Sequence, residues 1–302
     1  MFFRREAVSF VQMFRTALET VSAKTVPKRS NIRVAKMLDY RAGPVTDDGR
    51  AALTTGTPPG YNGPMIAAEP PMMETERGEK VLRVAIDGPA GAGKSTVARQ
   101  VAARLGLTYV DTGAMYRALA WAVVEARIAP DDAAAVCALA ARLDVRLEPG
   151  GGVLVDGQDA AGEIRTPEIS NLTSPLSALP CVRTRMVALQ QAMARRGGVV
   201  MEGRDIGTVV LPDAEVKVFL IASLAERVRR RGEELAQGGV VLPPEELARD
   251  IAARDARDAE RDVAPMVPAH DAVTLDSDGL NIEAVVGQIL VLCAKARASD
   301  GR

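Results

Sequence analysis

From residue 81 onward, the apolar positions follow two alternating patterns. Short continuous apolar runs are typical of strands buried on both faces, and they occur at 81–86, 107–110, 198–201, 216–221 and 273–275. Between most of these runs, apolar residues recur every three or four positions, which predicts helices over 95–105, 115–126, 131–143, 183–196 and 244–261. Strands separated by helices predict an α/β fold, with a parallel sheet flanked by helices.

Capping residues refine these boundaries. Either Asp131 or Asp132 is placed to cap a helix, and Ser223 with Glu226 forms a capping-box pattern that predicts another helix. Asn281 is expected to cap a final helix with five inward residues, namely Ile282, Val285, Val286, Ile289 and Leu292. The glycine-rich stretch 145–160 predicts a small antiparallel meander.

The first 80 residues have a different pattern. Residues 1–41 hold nine Lys or Arg against three Asp or Glu, and their apolar residues have helical spacing, which predicts a basic amphipathic helix. It is either a membrane-surface or targeting segment or an extension without a role. Residues 43–79 hold six Gly and six Pro, which favours a disordered linker. Because Met72 and Met73 end this linker, a start of the mature protein there is a further hypothesis.

Composition and charge exclude several classes of protein. Of the 302 residues, 38 are basic and 39 acidic, so no overall basic field favours nucleic-acid binding. No apolar run approaches the roughly 18–20 residues that span a bilayer. The single histidine, His270, excludes a two-histidine metal site and falls outside the motifs below. The three cysteines form no CxxC pair, so we expect no disulfide framework and a cytoplasmic location.

One motif carries most of the functional information. The segment 88–95 fits G-x-x-x-x-G-K-[ST], a P-loop, between a predicted strand and a predicted helix. Its glycines let backbone N–H groups face phosphate oxygens at a helix N-terminus. Lys94 is expected to reach the β and γ phosphates of ATP, and Ser95 to bind Mg²⁺. The predicted ATP-binding residues are Gly88, Pro89, Ala90, Gly91, Ala92, Gly93, Lys94, Ser95 and Thr96.

Three further segments, together with the P-loop, resemble a known family. These are Asp111-Thr-Gly-Ala-Met-Tyr-Arg117, Gly203-Arg-Asp-Ile-Gly-Thr208 and Arg254-Asp-Ala-Arg-Asp-Ala-Glu-Arg261. In this order and spacing they are similar to bacterial cytidylate kinases, which are P-loop nucleoside monophosphate kinases. The resemblance covers nearly all of 81–302 and none of the first 80 residues. It implies a kinase domain at 81–302, with an acceptor-nucleotide-binding subdomain near 130–195 and an arginine-rich lid at 223–262.

The resemblance also implies which residues bind the acceptor, CMP or dCMP. Arg183 and Asp205 match the cytosine contacts, since a carboxylate accepts from the exocyclic amine and a guanidinium donates to O2 and N3. Uracil carries an oxygen where cytosine has the amine, which would leave Asp205 facing an acceptor. The other implied acceptor-site residues are Thr112, Tyr116, Arg117, Ser174, Arg204 and Asp258. From the residues alone, Arg117 is also compatible with a surface ion pair and Tyr116 with packing.

The remaining assignments concern the lid and the metal. Residues 223–262 hold eight Arg, no Lys and ten acidic residues, so a solvated helix laced with ion pairs is one interpretation. Helical spacing places Arg254, Arg257, Asp258 and Arg261 on one face. The resemblance implies that Arg254 and Arg261 contact the phosphates and that Arg230 lies at the donor side. Glu202 follows a strand and is expected to orient the water shell of Mg²⁺, whereas the role of Asp87 is open.

The sequence therefore predicts a monomeric kinase that transfers the γ-phosphoryl group of MgATP to CMP or dCMP. Lys94, Arg254 and Arg261 are its expected catalytic residues, because phosphoryl transfer is accelerated by positioning and charge neutralisation. Two alternatives remain. One is a P-loop kinase for UMP or a small metabolite, and the other is a nucleotide-dependent switch that signals to a partner.

Overall fold

The computed structural model describes residues 81–237 and 239–300. Its main sheet has five strands, all parallel, as the sequence predicted. Their spatial order is β2 (Thr108–Asp111), β6 (Val199–Gly203), β1 (Arg83–Asp87), β7 (Val216–Ile221) and β8 (Val273–Asp276), numbered in chain order. The apolar runs form strands because β1 and β6 are covered on both faces and need apolar side chains on each.

Helices cover both faces of this sheet, which confirms the predicted α/β fold. On one face, α1 (Lys94–Leu105) and α8 (Ile282–Asp300) pack against the alternate side chains Val84, Ile86 and Val200. The opposite face packs against a larger group of helices that share one apolar core with Val145, Val153 and Val155. These helices are α2 (Thr112–Glu125), α3 (Ala133–Arg142), α4 (Pro167–Ser177) and α5 (Pro180–Ala194).

Two smaller units complete the described part of the chain. The first is the predicted antiparallel meander, formed by β3 (Val145–Leu147), β4 (Val153–Val155) and β5 (Gln158–Asp159). The lid consists of α6 (Leu224–Gln237) and α7 (Pro244–Glu260), which pack against each other. The assignment of 130–195 as an acceptor-binding subdomain and of 223–262 as a lid stays a prediction.

The predicted caps are present, with one correction. Asp132 accepts the N–H of Ala135 at 3.0 Å, and Asn281 accepts that of Ala284 at 2.8 Å. The capping box before α6 is only half formed. The Ser223 hydroxyl oxygen accepts the Glu226 N–H at 3.2 Å, but the Glu226 carboxylate pairs with arginines of its own helix. In a full capping box the Glu226 carboxylate would accept the N–H of Ser223. Here a carboxylate oxygen of Asp278 accepts that N–H instead, at 2.9 Å.

One helix was missed by the sequence analysis, and one residue of another helix was wrongly expected to face inward. The helix α4 was not predicted, because proline opens it and Pro175 lies inside it. Thr166 nevertheless caps it by accepting the N–H of Ile169 at 3.3 Å. In α8, Val285, Val286 and Ile289 are buried as predicted, but Ile282 is 46% exposed because the first turn extends past the edge of the core.

The cysteines contradict the expectation that they are unpaired. Cys137 on α3 and Cys181 on α5 form a disulfide, with their Cα atoms 5.7 Å apart. The two helices pack side by side, and this contact joins residues 44 positions apart in the chain. Only Cys293, which is buried in α8, is free within the described residues.

The predicted basic helix of residues 1–41, the linker and the start near Met72 all lie outside the described residues. Across 81–237 and 239–300, none of the helices combines the length and apolarity needed to span a membrane.

The disulfide leads to a prediction about stability. Replacing Cys137 by Ser should lower the free energy of unfolding by about 3 kcal/mol without reductant, because the cross-link restricts the unfolded chain. Chemical denaturation followed by circular dichroism measures this difference. With excess dithiothreitol, parent and variant should unfold alike, and C181S should behave as C137S does. Equal stability of parent and C137S under oxidising conditions would contradict the pairing.

Candidate active site

The carboxyl ends of three neighbouring strands meet at one edge of the sheet. The register pairs Asp87 at the end of β1 with Gly203 at the end of β6, and Asp111 at the end of β2 with Glu202. Parallel strands place these ends together, and open α/β sheets bind their ligands there. The P-loop and the segments that start at Asp111 and Gly203 all begin at this edge.

The P-loop connects β1 to α1 in a conformation that requires glycine. Gly88 has φ 143°, and a Cβ atom there would lie 2.0 Å from the carbonyl oxygen of Leu220. The helix begins at Lys94, directly after Gly93, whose φ is 92°. The loop therefore ends at a helix N-terminus, which carries partial positive charge and unpaired N–H groups suited to phosphate.

Lys94 lies beneath this loop and is 6% exposed. Its ammonium group donates to the carbonyl oxygen of Pro89 at 2.7 Å. The pKa of Lys94 is lowered to about 7, chiefly by burial and also by the positive charges of Arg204 and Arg254, while Glu202 opposes the change. The lysine therefore shares its surroundings with two arginines from other parts of the chain.

Arg254 of the lid belongs to the same concentration of positive charge. The pKa of Arg254 is lowered to about 10, chiefly by burial and also by the positive charges of Arg204 and Arg117. Its Nε is buried and has no hydrogen-bond partner among the described residues. Like charges held this close repel each other, so an anion placed among them would be strongly stabilised. The arrangement suits phosphate groups.

Glu202 and Ser95 are the candidate metal-side residues, and they lie in contact. Glu202 is 4% exposed and accepts a hydrogen bond from the Tyr109 hydroxyl at 2.7 Å. Burial raises the pKa of Glu202, and a side-chain hydrogen bond with Ser95 opposes the change. Within the described ranges no cluster of three or more metal-binding side chains occurs. Mg²⁺ needs no such cluster, because it keeps several waters and phosphate oxygens, so a hydroxyl beside a carboxylate fits it.

Asp205 lies between two arginines at the end of β6. It is 5% exposed, pairs closely with Arg183 of α5, and accepts from Arg261 at 3.4 Å. Burial raises the pKa of Asp205, whereas the two arginines lower it. One terminal nitrogen of Arg183 is buried without a partner in the part of the chain that is described. A buried carboxylate thus lies beside an unused guanidinium donor.

The other predicted acceptor-side residues surround this pair unevenly. The ring of Tyr116 is 5.9 Å from the Arg183 guanidinium carbon, and burial raises the pKa of its hydroxyl to about 12. Thr112 donates to the carbonyl oxygen of Glu202 at 2.7 Å, so its hydroxyl supports the strand end. Arg117 pairs with Asp111 at 3.1 Å, which is the ion pair that the sequence left open.

The two lid helices contact both the loop after β6 and the P-loop. Arg204 donates to Asp258 at 2.9 Å, which ties α7 to the loop after β6. Arg230 of α6 donates to the carbonyl oxygen of Ala92 in the P-loop at 3.3 Å. Arg257 is exposed, whereas Asp258 is buried. Ser174 is half-buried on α4.

Sequence reasoning missed one contact between the lid and the P-loop. Arg227 donates to the carbonyl oxygen of Ala90 at 3.1 Å and pairs closely with Asp255. The other carboxylate oxygen of Asp255 accepts the Ala90 N–H at 3.3 Å. Both residues are ordinary members of an arginine- and acid-rich stretch, so no local signal distinguished them. His270, by contrast, is 92% exposed at the side chain and lies outside the site.

The geometry of Gly88 gives a prediction with a matched control. Gly88→Ala should abolish measurable ATP binding, because the added methyl group collides with Leu220 and displaces the loop. Gly106→Ala also places alanine at positive φ, but nothing lies within 4 Å of its Cβ. It should cost only about 1–2 kcal/mol of stability and keep ATP binding. Isothermal titration and thermal unfolding test both variants, and ATP binding by G88A would refute the steric argument.

Comparison with known proteins identifies the family. The family model described as cytidylate kinase matches residues 84–295. A cytidylate kinase of Desulfitobacterium hafniense (strain Y51) is 50% identical over 71% of this chain and 93% of its own length. One from Pelotomaculum thermopropionicum is 48% identical over 72% of this chain and 96% of its own length.

A further relative is larger. The bifunctional pantoate ligase/cytidylate kinase of Parasynechococcus marenigrum (strain WH8102) is 52% identical over 68% of this chain. The chain spans only 42% of the length of that bifunctional protein. With the P-loop, the carboxylate between two arginines and the lid on one sheet edge, and with these matches over most of its length, the chain belongs to the cytidylate kinase family.

Proposed function

We propose that this protein transfers the γ-phosphoryl group of ATP to CMP or dCMP, giving ADP and the diphosphate. The observation that carries the proposal is Asp205, a buried carboxylate held between Arg183 and Arg261 at the same sheet edge as the P-loop. Matches to curated cytidylate kinases at about 50% identity support the same reaction.

The chemistry of cytosine accounts for this choice of acceptor. Asp205 would accept from the exocyclic amine, and the unpartnered nitrogen of Arg183 would donate to O2 or N3. UMP presents an oxygen to the carboxylate, and a buried acceptor facing another acceptor is costly. The contact residues proposed for CMP are Thr112, Tyr116, Arg117, Ser174, Arg183, Arg204, Asp205 and Asp258.

Transfer requires two sets of phosphates aligned in the cationic region. An oxygen of the acceptor monophosphate forms a bond to the γ-phosphorus while the bond to the β-γ bridging oxygen breaks, and ADP leaves with that electron pair. The acceptor oxygen is already anionic, so no strong general base is needed. Lys94, Arg254 and Arg261 are the proposed catalytic residues, because they would neutralise charge on the transferring group. Residues 88–96 and Arg230 would hold ATP.

Magnesium is the proposed cofactor. When bound, Mg²⁺ would neutralise part of the charge of the ATP phosphates. In this chain, Ser95 would contribute its hydroxyl and Glu202 would hold the water shell, as their hydrogen-bonded contact allows. Tyr109 keeps the Glu202 carboxylate in one orientation by donating to it.

Several wider assignments are proposals for the whole protein. We expect a monomeric, cytoplasmic enzyme without a nucleic-acid partner, in which 81–302 form the kinase domain and 1–80 an extension and linker. If the Cys137–Cys181 disulfide forms in the cell, it argues against the cytoplasmic location, because disulfides are rare in a reducing cytoplasm. Counting free thiols after blocking them at lysis would separate a paired state in the cell from pairing after isolation.

The first prediction for this function concerns the acceptor. In a coupled assay of ADP release, turnover should require an acceptor and should be fastest with CMP or dCMP, with UMP and AMP much slower. A preference for UMP or a metabolite would favour the alternative kinase. Slow ATP hydrolysis that CMP does not accelerate would favour the nucleotide-dependent switch.

The second prediction concerns Asp205. Asp205→Asn keeps the shape of the side chain but lets its amide donate to the oxygen of uracil. The ratio of kcat/KM for CMP to that for UMP should therefore fall by about 100-fold, while the KM for ATP stays near its parental value. An unchanged ratio, or a loss of ATP binding alone, would contradict the role of Asp205 in reading the base.

The third prediction concerns Lys94. Lys94→Ala should lower kcat by about 100- to 1000-fold, because it removes a preorganised positive charge from the transferring phosphate. The lysine is buried and weakly basic, so its removal should leave the unfolding temperature unchanged or higher. Turnover near the parental rate would rule out the proposed role.

A further inference from the structure

Asp87 is a buried carboxylate that the proposed mechanism does not use. It ends β1, immediately before the P-loop, and is 5% exposed. One carboxylate oxygen accepts the N–H of Ile206 at 2.8 Å, and the other accepts the N–H of Gly207 at 2.7 Å. Both donors belong to the segment that follows Asp205, so Asp87 links the strand of the P-loop to the loop that faces the acceptor base.

These two hydrogen bonds fix one side of the peptide that follows Asp205. The N–H of Ile206 belongs to the same peptide group as the carbonyl of Asp205. That carbonyl oxygen accepts the N–H of Val209 at 2.9 Å, within a single π-helical turn, Ile206–Val210. The peptide group between Asp205 and Ile206 is thus held at both its donor and its acceptor. Its orientation sets the direction in which the Asp205 side chain leaves the backbone.

Only a carboxylate suits this position. Two separate N–H groups need two separate acceptors, and a carboxylate offers two oxygens and no donor. An asparagine would place its NH₂ group against one of the N–H groups. The charge is costly here, since burial raises the pKa of Asp87 to about 6 even though both backbone hydrogen bonds favour the ionised form. The neighbouring charges are those of Asp205, which raises the pKa, and of Lys94, which lowers it.

We propose that Asp87 is a positioning residue for acceptor selection: it holds the backbone after Asp205 so that the Asp205 carboxylate faces the exocyclic amine of the acceptor base. This inference rests on the proposed function, which it extends from the base contact to the group that orients it. Asp87 touches neither nucleotide and acts through Asp205.

The variants that test it are Asp87→Asn and Asp87→Ser, each of which removes at least one of the two acceptors. Asp213→Asn is the matched control, because Asp213 is a carboxylate 72% exposed that pairs with Arg83 at the opposite end of β1. Both Asp87 variants should lower the CMP-to-UMP ratio of kcat/KM by about tenfold or more. The KM for ATP should change by less than about threefold, and D213N should keep the parental ratio.

Stability separates positioning from a merely structural role. In D87N, the gain from removing a costly buried charge opposes the loss of one backbone hydrogen bond, so the unfolding temperature should stay close to that of the parent. If D87N and D87S both unfold earlier and lose ATP and CMP binding together, the residue is structural and the proposal is wrong. An unchanged CMP-to-UMP ratio in either variant overturns it as well.

Two further measurements test whether Asp87 acts through Asp205 and the backbone that follows it. In the double variant D87N/D205N, the ratio should equal that of D205N alone, because Asp87 acts only through Asp205; a further decrease contradicts the proposal.

Hydrogen exchange of the peptide 203–211 should be about tenfold faster in D87N and unchanged in D213N. This readout needs no acceptor. If the parent shows no preference for CMP, the proposed function fails, while unchanged exchange in D87N would refute the positioning by itself.

Discussion

The parallel register of β1 between β6 and β7 is the constraint on which the rest of the site depends. It places the P-loop, which leaves β1, directly beside the Gly203–Asp205 segment, which leaves β6. Phosphoryl transfer needs two phosphates within bonding reach, and adjacent strand ends bring the two loops together without a mobile connection. Helices α6 and α7 contact both loops at this one edge, through Arg227 with Ala90 and through Asp258 with Arg204.

This edge concentrates ionisable groups that the fold stabilises poorly by itself. Burial raises the pKa of Asp87, Glu202 and Asp205 and lowers that of Lys94 and Arg254. Every one of these changes favours the neutral form, so each charge is held at a cost in stability. Ionisable groups with shifted pKa values are common at functional sites, and here they lie at or beside the same strand ends.

The sequence predicted what depends on local pattern. Strands, caps such as Asp132 and Asn281, and the P-loop all follow from neighbouring residues, and the structure has them where they were expected. It did not predict contacts between distant residues. Asp87 and Ile206 are 119 positions apart, and Arg227 and Ala90 are 137 apart, so only the folded chain brings them together. The disulfide was missed for the same reason, since the packing of α3 against α5 creates it.

The two halves of the site depend on different kinds of contact. The donor half is a single contiguous loop whose shape comes from backbone geometry, as Gly88 illustrates with its close approach to Leu220. The proposed acceptor half joins side chains from three separate elements, because Arg183 lies on α5, Asp205 after β6 and Arg261 at the end of α7. A short motif can therefore specify the donor loop, whereas acceptor preference depends on how these elements pack. It follows that selectivity can change through substitutions on any of the three while the P-loop stays the same.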